Sequence, residues 1–380
     1  MAKQKTIKTQ TPTRAIVSSR FLLALYAVIP LSFLLVTLDY LLLSNQLRDQ
    51  ILPKNPSALA ILTVIFIFPH ITSSLITLLD KEYLNFYKKR LLVPLLVIVA
   101  GVISINMLMP LLLEENNFRT VTIAFFVFYA AYTMYHVLSQ QFGVGMLLMK
   151  LKSSGATYET WRWLASAGAT LLYLMVFAEY LLKGAQLGAY TVYSIAQLLA
   201  WVLIGLASIQ AIRIAKQSKR SLGTAYICSN ILMLWAMAAM LWLGYSFFAI
   251  AIPRLIHDIT ALTVYSVHDQ NRNSIKPRNY VYKKLAFLGV PPLILCALLA
   301  IVVANSLQCG GFLLDSWLGF QSISDCALSR FYTPASPSNA LPNSMQVWLQ
   351  IMFITGFFHY YIEGFIWKKD ALHRHHVSFS

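Results

Sequence analysis

The chain has 380 residues, 58% of them hydrophobic and only 12% charged, with a mean hydropathy of +0.63 and a formal charge of +16. Soluble domains carry about 25% charged residues, so this composition excludes an ordinary soluble domain and points to a polytopic membrane protein. The excess cations lie between apolar segments, which reads as membrane topology rather than nucleic-acid binding.

Residues 1–20 begin MAKQKTIKTQTPTR, a basic stretch that reads as a cytoplasmic tail. No small-residue cleavage site follows its apolar run, so the first span is expected to be retained. Ten apolar segments follow, at 21–43, 57–79, 91–113, 120–149, 160–182, 187–212, 222–245, 247–268, 284–306 and 344–368. Only LGYSFF separates the seventh from the eighth, and VPP at 290–292 interrupts the ninth. The expected architecture is an all-α transmembrane bundle over 21–368, followed by a cytoplasmic histidine-rich tail at 369–380.

The connections sort by charge. SNQLRDQILPKNPS, EENNFR, KGAQ and the long loop at 307–343 are poor in cations. DKEYLNFYKKR, KLKSSGATYETWR, RIAKQSKR, DQNRNSIKPRNYVYKK and WKKDALHRHH are rich in them. The alternation requires ten spans with both termini cytoplasmic, as in a bacterial inner (plasma) membrane. Cys309 and Cys326 flank the long outside loop, where they are either a disulfide or two thiols. Cys228 and Cys296 fall within spans and read as packing residues.

Eight histidines are present. His70, His136, His257, His268 and His359 lie in spans two, four, eight and ten. His70 stands ten residues before Asp80, His359 nine before Lys368, His136 fourteen before Lys150 and His268 four before Arg272. At ~1.5 Å per residue, most therefore fall ~6–20 Å from the cytoplasmic edge. His257 is deeper and shares a helical face with His268. Polar partners recur beside them: Gln140 after His136, Asp258 after His257, Asp269 after His268, and Glu363 one turn after His359. Pro69 can open the backbone bonding at His70. Tyr132, Tyr135, Tyr265, Tyr360 and Tyr361 crowd the same region. An ionisable residue at mid-span costs ~2.5–3.5 kcal/mol, so such groups face the bundle interior and are functional candidates.

Singly, each histidine reads as an interhelical hydrogen-bond partner. Together, on four helices, they read as a metal site. The tail sequence HRHH reads as solvated chain, with folding back to complete a cytoplasmic-side site as the alternative. No GxSxG, Walker A, HExxH or CxxC pattern is present, and QQFGVG is a helix end rather than a phosphate cradle. The HxxxH and HxxHH boxes of membrane desaturases are also absent. His70 and His359 could instead hold a haem between facing helices.

VYSVHDQNRN, with His268 and Arg272, resembles an element of the Brp/Blh-type membrane β-carotene dioxygenases, as does PHITSSLITLLD. Asp269 and Asn273 stand where that family has serine and histidine. The resemblance implies histidine-ligated Fe(II), O2 as co-substrate and a lipophilic small-molecule substrate.

The expected function is thus a membrane metal-dependent oxidoreductase or oxygenase embedded in the lipid bilayer. Its metal ligands would be His70, His136, His257, His268 and His359, with Glu363, Tyr360 and Asp258 as catalytic groups. Fe(II) suits this set best, with Cu, Zn and haem as alternatives. A proton-coupled transporter, using His257, Asp258, His268, Glu363 and Asp80 as a relay, is the second expectation. A structural or assembly factor is the third.

Overall fold

The computed structural model describes residues 16–53, 66–149, 156–218, 221–317, 347–368 and 371–380. The chain is all-α. Its main helices are α1 (Ser19–Leu42), α2 (Phe68–Leu78), α3 (Lys81–Ile103), α4 (Glu115–Met149), α5 (Ala156–Phe177) and α6 (Val192–Ala215). They continue with α7 (Ser221–Trp242), α8 (Ser246–Asn273), α9 (Tyr280–Leu288), α10 (Pro292–Trp317) and α11 (Val347–Ile366). Five of them are long and apolar enough to cross a membrane among the described residues, or six if the bent α9–α10 pair is one span. That is compatible with a multi-pass membrane protein, and helices occupy the described parts of all ten apolar segments.

Local chemistry explains the breaks. Gly244 adopts φ +82° between α7 and α8, which only a residue without Cβ takes readily, and this divides the LGYSFF junction. The ninth segment is broken: α9 and α10 meet at 107°, where Gly289 turns left-handed and two prolines remove backbone donors. Pro69 sits in the first turn of α2, where its missing N–H costs nothing, so it starts that helix rather than opening it at His70. Residues 307–317, expected as loop, extend α10. The rest of the long loop and Cys326 lie outside the described residues, as does any pairing with Cys309.

Two packing groups share α8. Ala196, Ala200, Ala207 and Ala211 form a small-residue stripe on α6, and α6 packs against α5, which carries Ala165 and Ala169. This group joins α1, α4, α7 and the first half of α8 through Ile250, Ile252 and Ile256. The second group joins α3, α10 and α11 to Tyr265 on the second half of α8. Buried residues make up 72% of the apolar window of α8, against 28% in α1 and α6, so α8 is the central helix and the other two are peripheral. Arg254, His257, Asp258, His268 and Asp269 of this helix are accordingly buried in protein.

The histidine-rich tail is docked onto the protein rather than free in solvent, although His375 stays exposed. Ser380 O accepts from Ser19 N at 2.8 Å, Ser380 N donates to Val17 O at 3.2 Å, and Asn271 Nδ2 donates to His376 O at 2.9 Å. The two described ends of the chain therefore meet at the α8 end that carries Arg272. His373 is fully buried, with its ring 3.8 Å from Tyr83 and 5.0 Å from His268. Burial, then the neighbouring His268, His376 and Arg272, holds the His373 imidazole well below its usual range. Burial likewise pushes His376 down to about 3. Tyr83 and Tyr87 of α3 and Trp367 face the same ring.

A neutral buried imidazole binds fewer protons than an unfolded one between its folded pKa and ~6.5. Docking of the tail is thus at full strength above pH ~6.5 and weakens below it, by at most ~1.4 kcal/mol per pH unit for His373. Amide exchange of residues 371–380, corrected for intrinsic rates, should be faster at pH 5 than at pH 7.5. His373→Phe, which keeps the stacking, should reduce that difference, leaving the part that His376 contributes. Equal protection of the parent chain at both pH values would refute it.

Candidate metal centre

Four helices bring one imidazole each to a single buried point. His70 lies in the first turns of α2, His136 in mid-α4, His257 in mid-α8 and His359 in α11, and all are 6% exposed or less. The His70 and His359 rings are 4.6 Å apart, those of His136 and His359 4.9 Å, and those of His70 and His257 5.0 Å. Donor nitrogens of His70, His136 and His257 all lie within 4.8 Å of one another, as do donor atoms of His136, His359 and Glu363.

Hydrogen bonding assigns the tautomers. The Ser74 hydroxyl donates to Ile71 O at 2.6 Å, so it can only accept from His359 Nδ1, which is 2.8 Å away. The proton of His359 is therefore on Nδ1. His70 Nδ1 is 2.9 Å from Asp258 Oδ1. That contact lies off the hydrogen-bond line, so both atoms lack a conventional partner among the described residues. An ionised carboxylate has no proton to give, however, so its charge still favours the proton on His70 Nδ1. The Nε2 lone pair of His359 then faces His70 Nε2 at 2.9 Å. A proton on His70 Nε2 or a shared cation satisfies that spacing.

The donor spacing fits a metal ion. Ligands bound at ~2.0–2.1 Å stand ~2.9–3.4 Å apart at octahedral to tetrahedral angles. The His70–His359 pair is at 2.9 Å, and His136 Nε2 is 3.2 Å from Glu363 Oε2. His359 Nε2 is 3.7 Å from the same oxygen. Glu363 is held from outside: Tyr265 and Gln140 donate short hydrogen bonds to its two oxygens, and Trp367 Nε1 donates at 3.5 Å. An oriented carboxylate, and imidazoles whose other nitrogen is engaged, are the supports that metal ligands require. Two axial imidazoles on opposite faces of a haem iron would stand ~4 Å apart. The His70–His359 separation leaves no room for the macrocycle.

The structure excludes His268 from this point. On α8 it shares a face with His257, but eleven residues place it ~16 Å further along the axis. Its nitrogens are already engaged, by Asp269 Oδ1 at 2.8 Å and the Tyr83 hydroxyl at 2.9 Å. Asp80 is likewise elsewhere: it caps α3 and binds Arg272 Nε at 3.0 Å, while Arg272 Nη2 reaches Glu82 at 2.5 Å. Among the described residues, a relay through Asp80, His268, Glu363, Asp258 and His257 is therefore not continuous by direct hydrogen bonds. Asp258 lies at the centre beside His70, with His257 Nε2 at 3.8 Å. The Tyr360 ring packs 4.4 Å from that of His136, and its hydroxyl accepts from Thr133 at 3.2 Å.

Sequence reasoning missed Arg254. It is 5% exposed, one turn before Asp258 and 4.0 Å from its carboxylate. A cation in mid-span at i−4 from an acid was the signal, the same one that marked His359 and Glu363. Arg254 thus brings a buried cation beside the Asp258 carboxyl, next to the histidines. His136 and Glu363 also open onto a cavity of about 460 Å³.

No family model, curated protein or solved structure matches the chain.

Proposed function

We propose that this chain is an integral membrane metalloenzyme, an iron-dependent oxidoreductase of the oxygenase class acting on a lipophilic substrate. One observation carries the reading: the buried Nε2 atoms of His70 and His359 lie 2.9 Å apart, with His136, His257 and Glu363 around them. His70, His136, His257 and His359 would hold the ion, with Glu363 as the carboxylate ligand. A mixed imidazole and carboxylate set suits iron, zinc or copper. The likeness to membrane β-carotene dioxygenases favours Fe(II), which would supply oxygen-activating redox chemistry when bound. The residues supply the rest. Asp258 holds the proton of His70 on Nδ1, and Ser74 does the same for His359. Tyr265 and Gln140 fix Glu363, and Tyr360 closes the wall beside His136. Burial of His70, His257 and His359 keeps bulk water from the side of the centre away from the cavity.

The supporting topology is ten spans with both termini in the cytoplasm of a plasma-type membrane. The basic end faces inward, as the cation bias requires. A cysteine placed at position 378 of a chain cleared of its four native cysteines should react with a thiol reagent only after the cytoplasmic face is opened. Labelling in sealed cells would reverse the orientation.

A proton shared by His70 and His359 is the competing occupant, and with it a proton-coupled transporter is the second reading. Metal analysis of the detergent-purified chain separates the two. About one or two transition-metal ions per chain are expected from the two overlapping donor sets. Metal-free protein that retains activity, or that drives pH-dependent uptake in liposomes, would overturn the enzyme reading.

A further inference from the structure

We infer that the cavity beside His136 and Glu363 binds a single-chain amphiphile with an anionic head, its head at Lys368 and Arg374 and its chain directed toward the histidine cluster. The inference rests on the metal-centre reading only for what happens at the inner end.

The cavity measures about 460 Å³, within the range of about 300–1,000 Å³ of small-molecule sites. Its lining holds His136, Glu363 and Tyr360, with Val144, Leu147 and Val264 among its walls. It also holds three cations: Arg162 on α5, Lys368 just past the end of α11 and five residues beyond Glu363, and Arg374 of the tail. Arg162 is partly spent, being ion-paired with Glu159 and lying 4.9 Å over the Tyr135 ring. Arg374 is different. It is only half-exposed and its Nη1 donates to Val377 O at 3.0 Å. Burial pulls its guanidinium below the usual value, and no carboxylate among the described residues opposes it. A desolvated guanidinium without a counter-charge is a site for carboxylate or phosphate oxygens.

The tail builds part of this lining. Arg374, Val377 and Phe379 line the cavity because residues 371–380 dock against α8 and the start of α1. The tail histidines thus serve a docking role, and the arginine between them faces the ligand. A neutral hydrocarbon gains nothing from these cations, whereas an amphiphile pairs its head with them and lays its chain along Val144, Leu147 and Val264.

Two glycines on the cavity wall provide the test. A Cβ added at Gly143 or Gly364 meets no atom within 4 Å, so these positions border open space. Replacing a helical glycine also favours the helix by about 1 kcal/mol on intrinsic propensity, so such variants should fold. Binding of oleate, oleyl phosphate and oleyl alcohol to the full-length chain in nonionic detergent would be measured, with metal content determined on the same samples. At least one of the two anions should bind about tenfold or more tighter than the alcohol. Lys368→Gln with Arg374→Gln should reduce the anions to the level of the alcohol. Gly143→Leu should abolish binding of all three while metal content stays constant. An alcohol that binds as tightly as both anions, an unchanged double variant, or undiminished binding in Gly143→Leu would each overturn the inference. Ligand binding by a chain that holds no metal would refute only the metal reading and leave this one standing.

Discussion

His359→Ala should purify with less than about a tenth of the parent's transition metal, and His70→Ala should do the same. The two residues stand on different helices and belong to different donor sets, but His136 joins those sets and their own Nε2 atoms are 2.9 Å apart. Removing a group behind a ligand typically costs 10–100-fold in metal affinity, so removing a ligand costs at least that. Ser74→Ala probes the support separately. It frees His359 to adopt the other tautomer and should weaken metal affinity by about tenfold without removing a ligand. His268→Ala is the control, because that residue is bonded to Asp269 and Tyr83 outside the centre, and it should keep full metal. Loss of metal in His268→Ala, or retention in both His70→Ala and His359→Ala, would refute the ligand assignment.

Arg254→Met should destabilise the chain by about 3–5 kcal/mol, the cost of leaving a buried charge without its partner. Asp258 is 1% exposed, and neither of its oxygens has a conventional hydrogen-bond donor among the described residues. Its compensation is therefore the Arg254 charge, the His70 ring and any bound cation. The double variant Arg254→Met with Asp258→Asn removes both charges and should recover most of the loss, because an absent pair costs far less than a broken one. The single variant should suffer more in chelator-treated protein, where a metal no longer shares the counter-charge. Midpoints of thermal unfolding in one detergent measure all of this. A single variant as stable as the parent would mean that Arg254 does not balance Asp258.

Much of the site was legible before folding. Periodicity placed His359 and Glu363 on one face, and they do share contacts with His136. The cost of burying ionisable groups in apolar helices marked His70, His136 and His257, and these meet. His268 was also decidable from the chain alone. Eleven residues put it in register with His257 but ~16 Å away, so the shared face was the wrong criterion and the rise per residue the right one. Arg254 carried the same mid-span signal as Glu363 and was overlooked beside the histidines.

By itself, the sequence determined the all-α class, the positions of the apolar helices, the charge asymmetry of their ends and the residue types that could bind a metal. These follow from local properties: apolar length, periodicity and the cost of a buried charge. Only the tertiary structure decided which imidazoles share a point, which nitrogen of His359 faces the others, and that residues 371–380 dock rather than dissolve. Those outcomes depend on the axial offset between packed helices and on partners such as Tyr83 and Ser74, hundreds of residues away in the chain, and no local pattern encodes such distances.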